Sequence, residues 1–492
     1  MKKYLIINTK DNVAVALENL KKGEKFEGVT LLNDIPFGHK FSLKEILKND
    51  NVIKYGFPIG HASKNIKKGE HIHSHNLVTN LSNKSKYFYK PIQVDFDSKL
   101  LKEKVNVYQR KFDKVGIRNN LMIVPLVGCV NSQAEKIKEN ILKKTKGKFI
   151  DEVIVAKHPY GCSQLGDDHL NTVKILQSLT KHPNNGGVLV LALGCENNQL
   201  ENFQSSLGEY DVSRVKFLKA QDVKDEIKEG TKICLRLIEL MKKDKRVPKP
   251  ISEITIGLKC GGSDGLSGIT ANPLIGKVSD FLSKNNGSVL LSEVPEMFGA
   301  EHILMNRAKN ENVFSKIVDL INNFKNYFSS HNQTCYENPS PGNKEGGITT
   351  LEEKSLGCIE KAGHSFVQDV IYAGDSVKIK GLNLLNGPGN DMVSCTNLAS
   401  CGAHLILFST GRGTPFGTVV PTIKISTNTK LADTKSNWID FNAGTLIEGK
   451  TFKEIEKDLI SLLIKTINGE YKTKNEINKF QEIAIFKDGV TL

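Results

Sequence analysis

The amino terminus lacks an apolar run long enough to enter a membrane. The segment MKKYLIINTKDNV starts basic, but its apolar stretch extends only from Tyr4 to Ile7 before polar residues resume. A signal peptide needs an apolar core of about 7–15 residues, and a membrane-spanning helix needs about 20. We therefore expect neither export nor a membrane partner.

The sequence also lacks the pattern of a disulfide framework. Its nine cysteines are an odd number in a chain of 492 residues, and all of them lie between Cys129 and Cys401. Disulfide scaffolds are typical of short secreted chains with an even set of cysteines. The pattern indicates free thiols in a reducing compartment, so we expect a cytoplasmic protein.

Arginine is scarce, and no arginine-rich tract or basic tract with interleaved aromatic residues is present. The net charge of +14 comes mostly from lysines dispersed along the chain. Proteins that bind nucleic acid usually concentrate their basic residues in a patch. We expect no nucleic-acid partner, and a lysine-rich surface of this kind suits small anionic substrates.

The periodicity of apolar residues indicates an α/β protein of several domains. Residues 1–90 contain short apolar segments between turns, which predicts a small β domain. Residues 91–112 have weak periodicity and are predicted to be a linker. In residues 113–245, apolar strands alternate with helical patterns, which predicts a middle α/β domain with a parallel sheet. Residues 246–492 form a third α/β domain, whose long glycine-rich loops are typical of binding and catalysis.

Three glycine-cysteine pairs recur in the middle domain. Cys129, Cys162 and Cys195 each follow a predicted strand, 33 residues apart both times (129 to 162, 162 to 195). One strand-helix unit accounts for this spacing, so the cysteines could face one pocket at the carboxyl edge of a parallel sheet. They could bind a metal or an iron-sulfur cluster, contact another ligand, or be small residues that pack where a strand turns into a helix.

Acidic residues and a cysteine follow two predicted strands of the third domain. Cys260 and Asp264 lie in CGGSDG after the strand ITIGL, and Glu293 and Glu296 lie in SEVPE after SVLL. Backbone amides of the first loop could hold an anion and Asp264 a cation, while the glutamates could bind a divalent cation or act as a general base. The glycine-rich loop does not have the spacing of a P-loop. The alternative for the two glutamates is that they are surface residues without a function.

Arg412 follows the apolar strand LILF in the segment STGRGTPFG. Its planar guanidinium matches a carboxylate with two hydrogen bonds. The glycines of this segment do not have the spacing of a dinucleotide-binding motif. We therefore interpret Arg412 as a contact for a substrate carboxylate.

Histidines are concentrated at two places in the first domain. GHK contains His39, and GEHIHSHNL contains His71, His73 and His75 at alternating positions. On a strand, alternating side chains share one face, which would present the imidazoles to a metal or a substrate. An exposed strand face without a function is the alternative.

The assembled motifs resemble the altronate and galactarate dehydratase family from end to end, and HIHSHN is more similar to its altronate branch. The resemblance is carried by DNVAVAL, GHKF, NVIKYGFPIG, GEHIHSHN, VGCVN, YGCSQLGDDH, LGCENNQ, CGGSDGLSGITANP, SEVPEMFGAE, YENPSPGNKEGGITTLEEKSLGC, FSTGRGTPFG and NWIDFNAG. It implies a small SAF-type β-clip domain, a middle domain that contributes to a homodimer, and a Rossmann-like parallel α/β domain with a metal site.

The resemblance also implies an activity. The expected reaction is the conversion of D-altronate to 2-dehydro-3-deoxy-D-gluconate and water, in hexuronate catabolism, with galactarate or a related aldarate as the alternative substrate. The implied cofactor is a divalent metal, ferrous iron before manganese. The three cysteines of the middle domain, Cys129, Cys162 and Cys195, leave an iron-sulfur cluster open as the alternative. A sugar-acid or metal-binding protein without turnover is the alternative from another class.

In that setting each group of candidate residues has an expected role. We expect the metal to be held by some members of one group, Cys260, Asp264, Glu293 and Glu296. We expect the substrate to be bound by Arg412, Lys344, Asn343 and Ser263. We expect proton transfer by residues of the first domain as it closes over the pocket: His39, Lys40, His71 and His73.

Overall fold

The structure of the chain is a computed structural model that describes residues 2–82, 86–94 and 103–492. Its N-terminal region consists of short antiparallel strands in two sheets, in the orders β1-β2-β5-β8 and β6-β7-β9, and a hairpin β3-β4. Short apolar segments between turns explain these strands. Their bounds are β1 Tyr4–Leu5, β2 Val13–Ala16, β3 Lys25–Phe26, β4 Val29–Thr30, β5 Lys40–Ser42, β6 Asn51–Lys54, β7 Phe57–Ala62, β8 His71–Ile72 and β9 Leu77–Val78.

The segment predicted as a linker, 91–112, contains a strand. β10 (Lys104–Gln109) pairs antiparallel with β11 (Val115–Gly116) and with β16 (Arg246–Pro250). The alternating valines Val105 and Val107 are buried, and so short an alternation is easily missed in a lysine-rich sequence. Residues 95–102 of the predicted linker lie outside the described part of the chain.

The middle region has a four-stranded parallel sheet in the order β13-β12-β14-β15. β12, β13 and most of β14 are buried apolar runs, and a helix follows each of the four strands, as expected for strand-helix-strand units. The strands are β12 Asn120–Pro125, β13 Val153–Val155, β14 Asn185–Ala192 and β15 Val215–Lys219; the helices are α1 Asn131–Thr145, α2 Gly166–Thr180, α3 Leu200–Ser205 and α4 Glu226–Met241.

The C-terminal region contains a seven-stranded parallel sheet in the order β19-β20-β18-β17-β21-β22-β23. Its strands are β17 Thr255–Cys260, β18 Ser288–Leu291, β19 Val367–Ile371, β20 Gly381–Leu385, β21 Leu405–Thr410, β22 Thr422–Ser426 and β23 Phe441–Asn442. Its helices are α5 Ala271–Lys284, α6 Glu301–Met305, α7 Glu311–Ser330, α8 Pro341–Glu345, α9 Leu351–Ile359, α10 Asp391–Ser400, α11 Thr429–Thr434, α12 Phe452–Ile467 and α13 Lys474–Asn478.

The strand order of this sheet decides where a ligand can bind. β17 lies in the centre, between β18 on one side and β21 on the other. The chain therefore changes direction across the sheet at β17, and such a point opens a crevice at the carboxyl ends of the strands.

Across the described residues, none of the helices has the length and apolar character needed to cross a membrane.

Candidate active site

Two strand ends and one helix bring the candidate metal ligands together. Cys260 is the last residue of β17, and Glu296 lies in a 3-10 helix, Val294–Met297, just after β18. Cys358 lies on α9 and reaches the same place from the other side. Glu293 precedes the 3-10 helix with φ of 70°, a left-handed conformation that costs free energy in a residue with a side chain. This backbone turn directs the two glutamates of SEVPE into the interior.

The three side chains form a compact, buried group. The Cys358 Sγ donates to Glu296 Oε2 at 2.8 Å, the Cys260 Sγ lies 3.4 Å from the same oxygen, and the two sulfur atoms are 3.1 Å apart. Across residues 2–82, 86–94 and 103–492, only these residues form a group of three or more Cys, His, Asp or Glu side chains whose ligand atoms all lie within 4.8 Å of one another. Thiolates and a carboxylate are suitable ligands for a transition-metal ion.

Cys358 was not among the sequence candidates. It lies inside the motif TTLEEKSLGC, but on a helix and 98 residues from Cys260. Hydrogen bonding with Cys260, and burial, raise the pKa of the Cys358 thiol well above its ordinary value. Because thiol protons are released when a metal binds, binding at this group depends on pH.

Glu293 is engaged by ammonium groups and lies outside the group of three. Its carboxylate accepts hydrogen bonds from Lys259 and, at 2.8 Å, from Lys361 Nζ. Lys259 also forms an ion pair of 3.0 Å with Asp391. Burial alone would lower the pKa of Lys259, but Glu293 and Asp391 raise it well above its ordinary value. Glu293 therefore holds the lysines beside the group of three, although its Oε1 lies 3.7 Å from the Cys260 Sγ.

Glu296 is paired with a third lysine. The Lys354 Nζ donates to Glu296 Oε1 at 2.8 Å. Burial alone would raise the pKa of Glu296, but Lys354 and the other two lysines hold it below its ordinary value. The site thus pairs three ammonium groups with three carboxylates, those of Glu293, Glu296 and Asp391. Two thiolates would add two negative charges, which match the charge of one divalent cation.

Asp264 follows the same strand as Cys260, but its carboxylate is occupied elsewhere. Oδ1 accepts from the Leu266 N–H at 3.1 Å, and Oδ2 accepts from the Thr427 hydroxyl at 2.8 Å and from Asn428 Nδ2 at 3.2 Å. Burial raises the pKa of this carboxyl above its ordinary value. The structure therefore places Asp264 as an anchor for the loop after β17 and not with the thiols.

Two of the expected substrate contacts lie next to the group. Asn343 Nδ2 donates to the Ser263 carbonyl at 2.8 Å, and Asn343 Oδ1 accepts from Lys354 Nζ at 3.3 Å. The Ser263 hydroxyl is buried, with no hydrogen-bond partner among the described residues. A buried polar group without a partner is costly, so this hydroxyl is free to contact a ligand.

The histidines of the N-terminal region form a cluster instead of a strand face. β8 ends at Ile72, and His73 lies in the turn that follows. The His39 Nδ1 and His71 Nε2 atoms are 3.1 Å apart, and the His39 and His73 rings stack with centroids 5.2 Å apart. The sequence identified these residues, but their common position depends on β5 and β8 being neighbours in one sheet.

This cluster faces the C-terminal end of α8. The His39 Nε2 lies 3.0 Å from the Glu345 carbonyl oxygen, and the His73 Nε2 lies 2.9 Å from the Lys344 carbonyl oxygen. Burial is the main cause that lowers the pKa of all three histidines, and the neighbouring imidazoles contribute to a value of about 3 for His71. The imidazoles are therefore neutral at pH 7, the form that can accept a proton.

Lys40 lies in a buried ion triad that joins the N-terminal region to α9. The Lys40 Nζ and the Lys54 Nζ each lie 2.8 Å from an oxygen of Glu353. Lys40 also donates to the Thr349 hydroxyl at 2.7 Å. Burial lowers the pKa of Lys40 to about 8, and the two lysines lower that of Glu353 to about 2 against the effect of its own burial. The hydrogen bonds of the Lys40 ammonium are thus directed at the C-terminal region.

Arg412 lies in the loop after β21 and contacts the same end of α8. Its Nη2 lies 2.6 Å from Glu345 Oε2, and both side chains are largely accessible to solvent. Lys344 is the residue before Glu345, and its carbonyl oxygen lies 2.9 Å from His73 Nε2. The C-terminal end of α8 therefore contacts both the histidine cluster and Arg412.

Comparisons with known proteins agree with this organisation. The family model described as "Altronate/galactarate dehydratase SAF domain" matches residues 2–80, "D-galactarate dehydratase/Altronate hydrolase, second domain" matches 107–242, and "D-galactarate/Altronate dehydratase, C-terminal" matches 251–491. The expected SAF domain at the amino terminus is confirmed.

Three curated relatives cover nearly the whole chain. An altronate dehydratase of Escherichia coli (strain K12) is 51% identical, over 99% of this chain and 100% of its own length. An altronate dehydratase of Bacillus subtilis (strain 168) is 52% identical, over 100% of both chains. A galactarate dehydratase (L-threo-forming) of Escherichia coli (strain K12) is 32% identical, over 98% of this chain and 96% of its own.

Proposed function

The chain belongs to the D-galactarate/altronate dehydratase family, and on that premise we propose that it is a hydro-lyase that removes water from D-altronate. The product is 2-dehydro-3-deoxy-D-gluconate. The observation that carries the substrate assignment is the much higher identity to altronate dehydratases than to a galactarate dehydratase, with nearly the whole chain covered in each case. The buried group at the end of β17 is the proposed reaction centre.

We propose that Cys260, Glu296 and Cys358 hold a divalent metal ion. Thiolate ligands favour iron over manganese, which prefers oxygen ligands, so ferrous iron is the proposed ion. The charge balance of the site supports a divalent cation. The buried Ser263 hydroxyl, which has no hydrogen-bond partner among the described residues, is available to a ligand. When bound, the ion would stabilise negative charge on the substrate carboxylate as the C2 proton leaves.

We propose that the N-terminal region, α8 and the loops after β17 and β21 supply the remaining groups. Arg412 and Lys344 would bind the substrate carboxylate, and Ser263 and Asn343 would bind its hydroxyl groups. The neutral imidazoles of the histidine cluster would take the C2 proton and return a proton to the leaving C3 hydroxyl. One proton is removed and one is delivered, and the cluster offers three rings in contact for these two transfers.

Three further assignments belong to the same proposal. The C-terminal sheet is proposed to be Rossmann-like, supported by its parallel strands and its change of direction at β17. A homodimer formed through the middle region is proposed from the family resemblance. A cytoplasmic location is proposed from the nine cysteines, all of which are free thiols.

The test is an assay under anaerobic conditions with ferrous iron and three separate substrates: altronate, galactarate and glucarate. We expect the keto-deoxy acid to form fastest from altronate, and to be lost in Cys358→Ala but kept in Cys335→Ala, a control that removes a buried thiol outside the group. Faster product formation from galactarate would establish the alternative substrate. Saturable binding of altronate without product would favour a binding protein.

A further inference from the structure

Three exposed cysteines lie at one edge of the middle sheet. Cys129 lies in a 3-10 helix directly after β12, Cys162 in the loop between β13 and α2, and Cys195 in the loop between β14 and α3. β12 has β13 on one side and β14 on the other, and all three strands are parallel. The carboxyl ends of parallel strands meet at one edge of a sheet, so the three thiols are brought to the same edge.

The three loops are also bound to one another. The Gly128 N–H donates to the Tyr160 carbonyl at 2.8 Å, and the Asn198 N–H donates to the Gly161 carbonyl at 3.0 Å. Gly161 has a φ of 100°, and a Cβ there would lie 2.0 Å from the Leu126 carbonyl oxygen. Only glycine permits this approach, so the residue before Cys162 is specialised for bringing the loops into contact.

A buried amide beside these loops has an unused donor. The Gly161 N–H donates to Gln164 Oε1 at 3.3 Å, so the end of this side chain lies next to the Cys162 loop. Gln164 is 3% exposed, and its Nε2 has no hydrogen-bond partner among the described residues. An N–H donor this deeply buried normally has an acceptor, and thiolate or sulfide at the loop edge would supply one.

The three sulfur atoms are not close enough together to hold a single metal ion as they are placed. One tetrahedral ion with bonds of about 2.3 Å to sulfur holds its thiolates about 3.8 Å apart. The ligand atoms of Cys129, Cys162 and Cys195 do not all lie within 4.8 Å of one another. A cluster of several irons and sulfides bridges a wider gap than one ion does, and its ordinary protein ligands are cysteine thiolates.

We propose that the middle region binds an iron-sulfur cluster through Cys129, Cys162 and Cys195. A cluster with four iron sites would keep one site open for a ligand that is not a cysteine. This site lies on a different sheet from the Cys260 group and goes beyond the proposed dehydration, since its occupancy does not depend on turnover.

The test measures the cluster itself. The full chain is reconstituted anaerobically with ferrous iron and sulfide, desalted, and analysed for acid-labile sulfide and for visible absorption. We expect both signals in the wild type, and their loss in Cys129→Ser, Cys162→Ser and Cys195→Ser. Because these side chains are exposed, the variants are expected to fold, which circular dichroism verifies. The matched control is Cys234→Ala, which removes a buried thiol on α4 of the same region and should keep both signals.

Three results would overturn the proposal. One is wild-type protein without labile sulfide after reconstitution. Another is a full cluster in the variant that lacks all three exposed cysteines. The third is loss of the signals in Cys260→Ala with retention in the three serine variants, which would place the cluster at the other site. Sulfide and absorption do not require catalysis, so failure of the altronate assay and failure of this test are distinguishable.

Discussion

Replacing Glu353 by glutamine removes the one carboxylate that two buried lysines share. Glu353 lies on α9, while Lys40 and Lys54 lie on β5 and β6 of the N-terminal region, and all three side chains are 1% exposed. Lys40 Nζ and Lys54 Nζ each lie 2.8 Å from a different carboxylate oxygen. The substitution keeps the shape of the side chain and leaves two like charges buried without their counter-ion.

We expect Glu353→Gln to lower the free energy of unfolding by about 3–5 kcal/mol, the cost of breaking a buried ion pair from one side. Near neutral pH we expect a loss of about 3 kcal/mol, the lower end of this range. Burial already lowers the pKa of Lys40 to about 8, so this lysine can lose its proton and avoid a buried unpaired charge. Replacing all three charges with apolar side chains, as Lys40→Met, Lys54→Met and Glu353→Leu together, removes the desolvation cost as well. Such replacements are about neutral in other proteins, so the triple variant should recover most of the loss.

The assay is urea unfolding followed by circular dichroism. The control is Asp34→Asn, which breaks an exposed ion pair with Lys21 in the same region and should shift the midpoint little. The pKa of Glu353 is about 2 in the folded chain, below its ordinary 4.5, so its stabilisation is present above pH 4.5 and lost as the pH falls towards 2. The difference between wild type and Glu353→Gln should shrink over that range. A triple variant as unstable as Glu353→Gln would refute the reasoning.

Four other outcomes are expected. Glu296→Gln should lose bound metal and turnover, while Asp264→Asn should keep its metal; metal analysis of both variants checks this, and the reverse result would move the site to Asp264. Burial keeps the pKa of His71 at about 3, below its ordinary 6.5, so the stability of the wild type should decrease as the pH is lowered from 6.5 to 3. Melting measured as a function of pH should show a smaller decrease in His71→Gln. Arg412→Ala should raise KM about tenfold with a nearly normal kcat, since it removes one exposed charge-assisted contact; a normal KM counts against the contact. Light scattering should give twice the chain mass of 54.5 kDa, and a monomer would contradict the proposed dimer.

Strand ends were predictable, but side-chain directions were not. The sequence identified Cys260, Asp264, Glu293 and Glu296 by one pattern, an acidic residue or cysteine after a buried strand. The structure brings only Cys260 and Glu296 into the group of three, because the other two carboxylates bind Thr427 and the lysines. Which way a loop residue points depends on local φ values and on partners from distant segments, and neither is visible in periodicity.

The partners in buried ion pairs were likewise not predictable from the sequence. The sequence predicts a role in proton transfer for Lys40, but the structure pairs it with Glu353, more than 300 residues away. β10 was missed because two valines in six residues give too weak an alternation, although pairing with β16 buries both. Isolated short patterns carry little information until a partner strand covers them.

The sequence by itself determined the family, through long motifs in all three regions, and it determined the order of strands and helices wherever apolar runs are long. The tertiary structure alone decided that Cys358 joins Cys260 and Glu296. It also decided that three histidines from two segments form a cluster, and that Glu353 forms ion pairs with two lysines. The physical reason is that helices and strands follow from local spacing, whereas metal ligation, proton transfer and ion pairing depend on distances of a few ångströms between residues far apart in the chain.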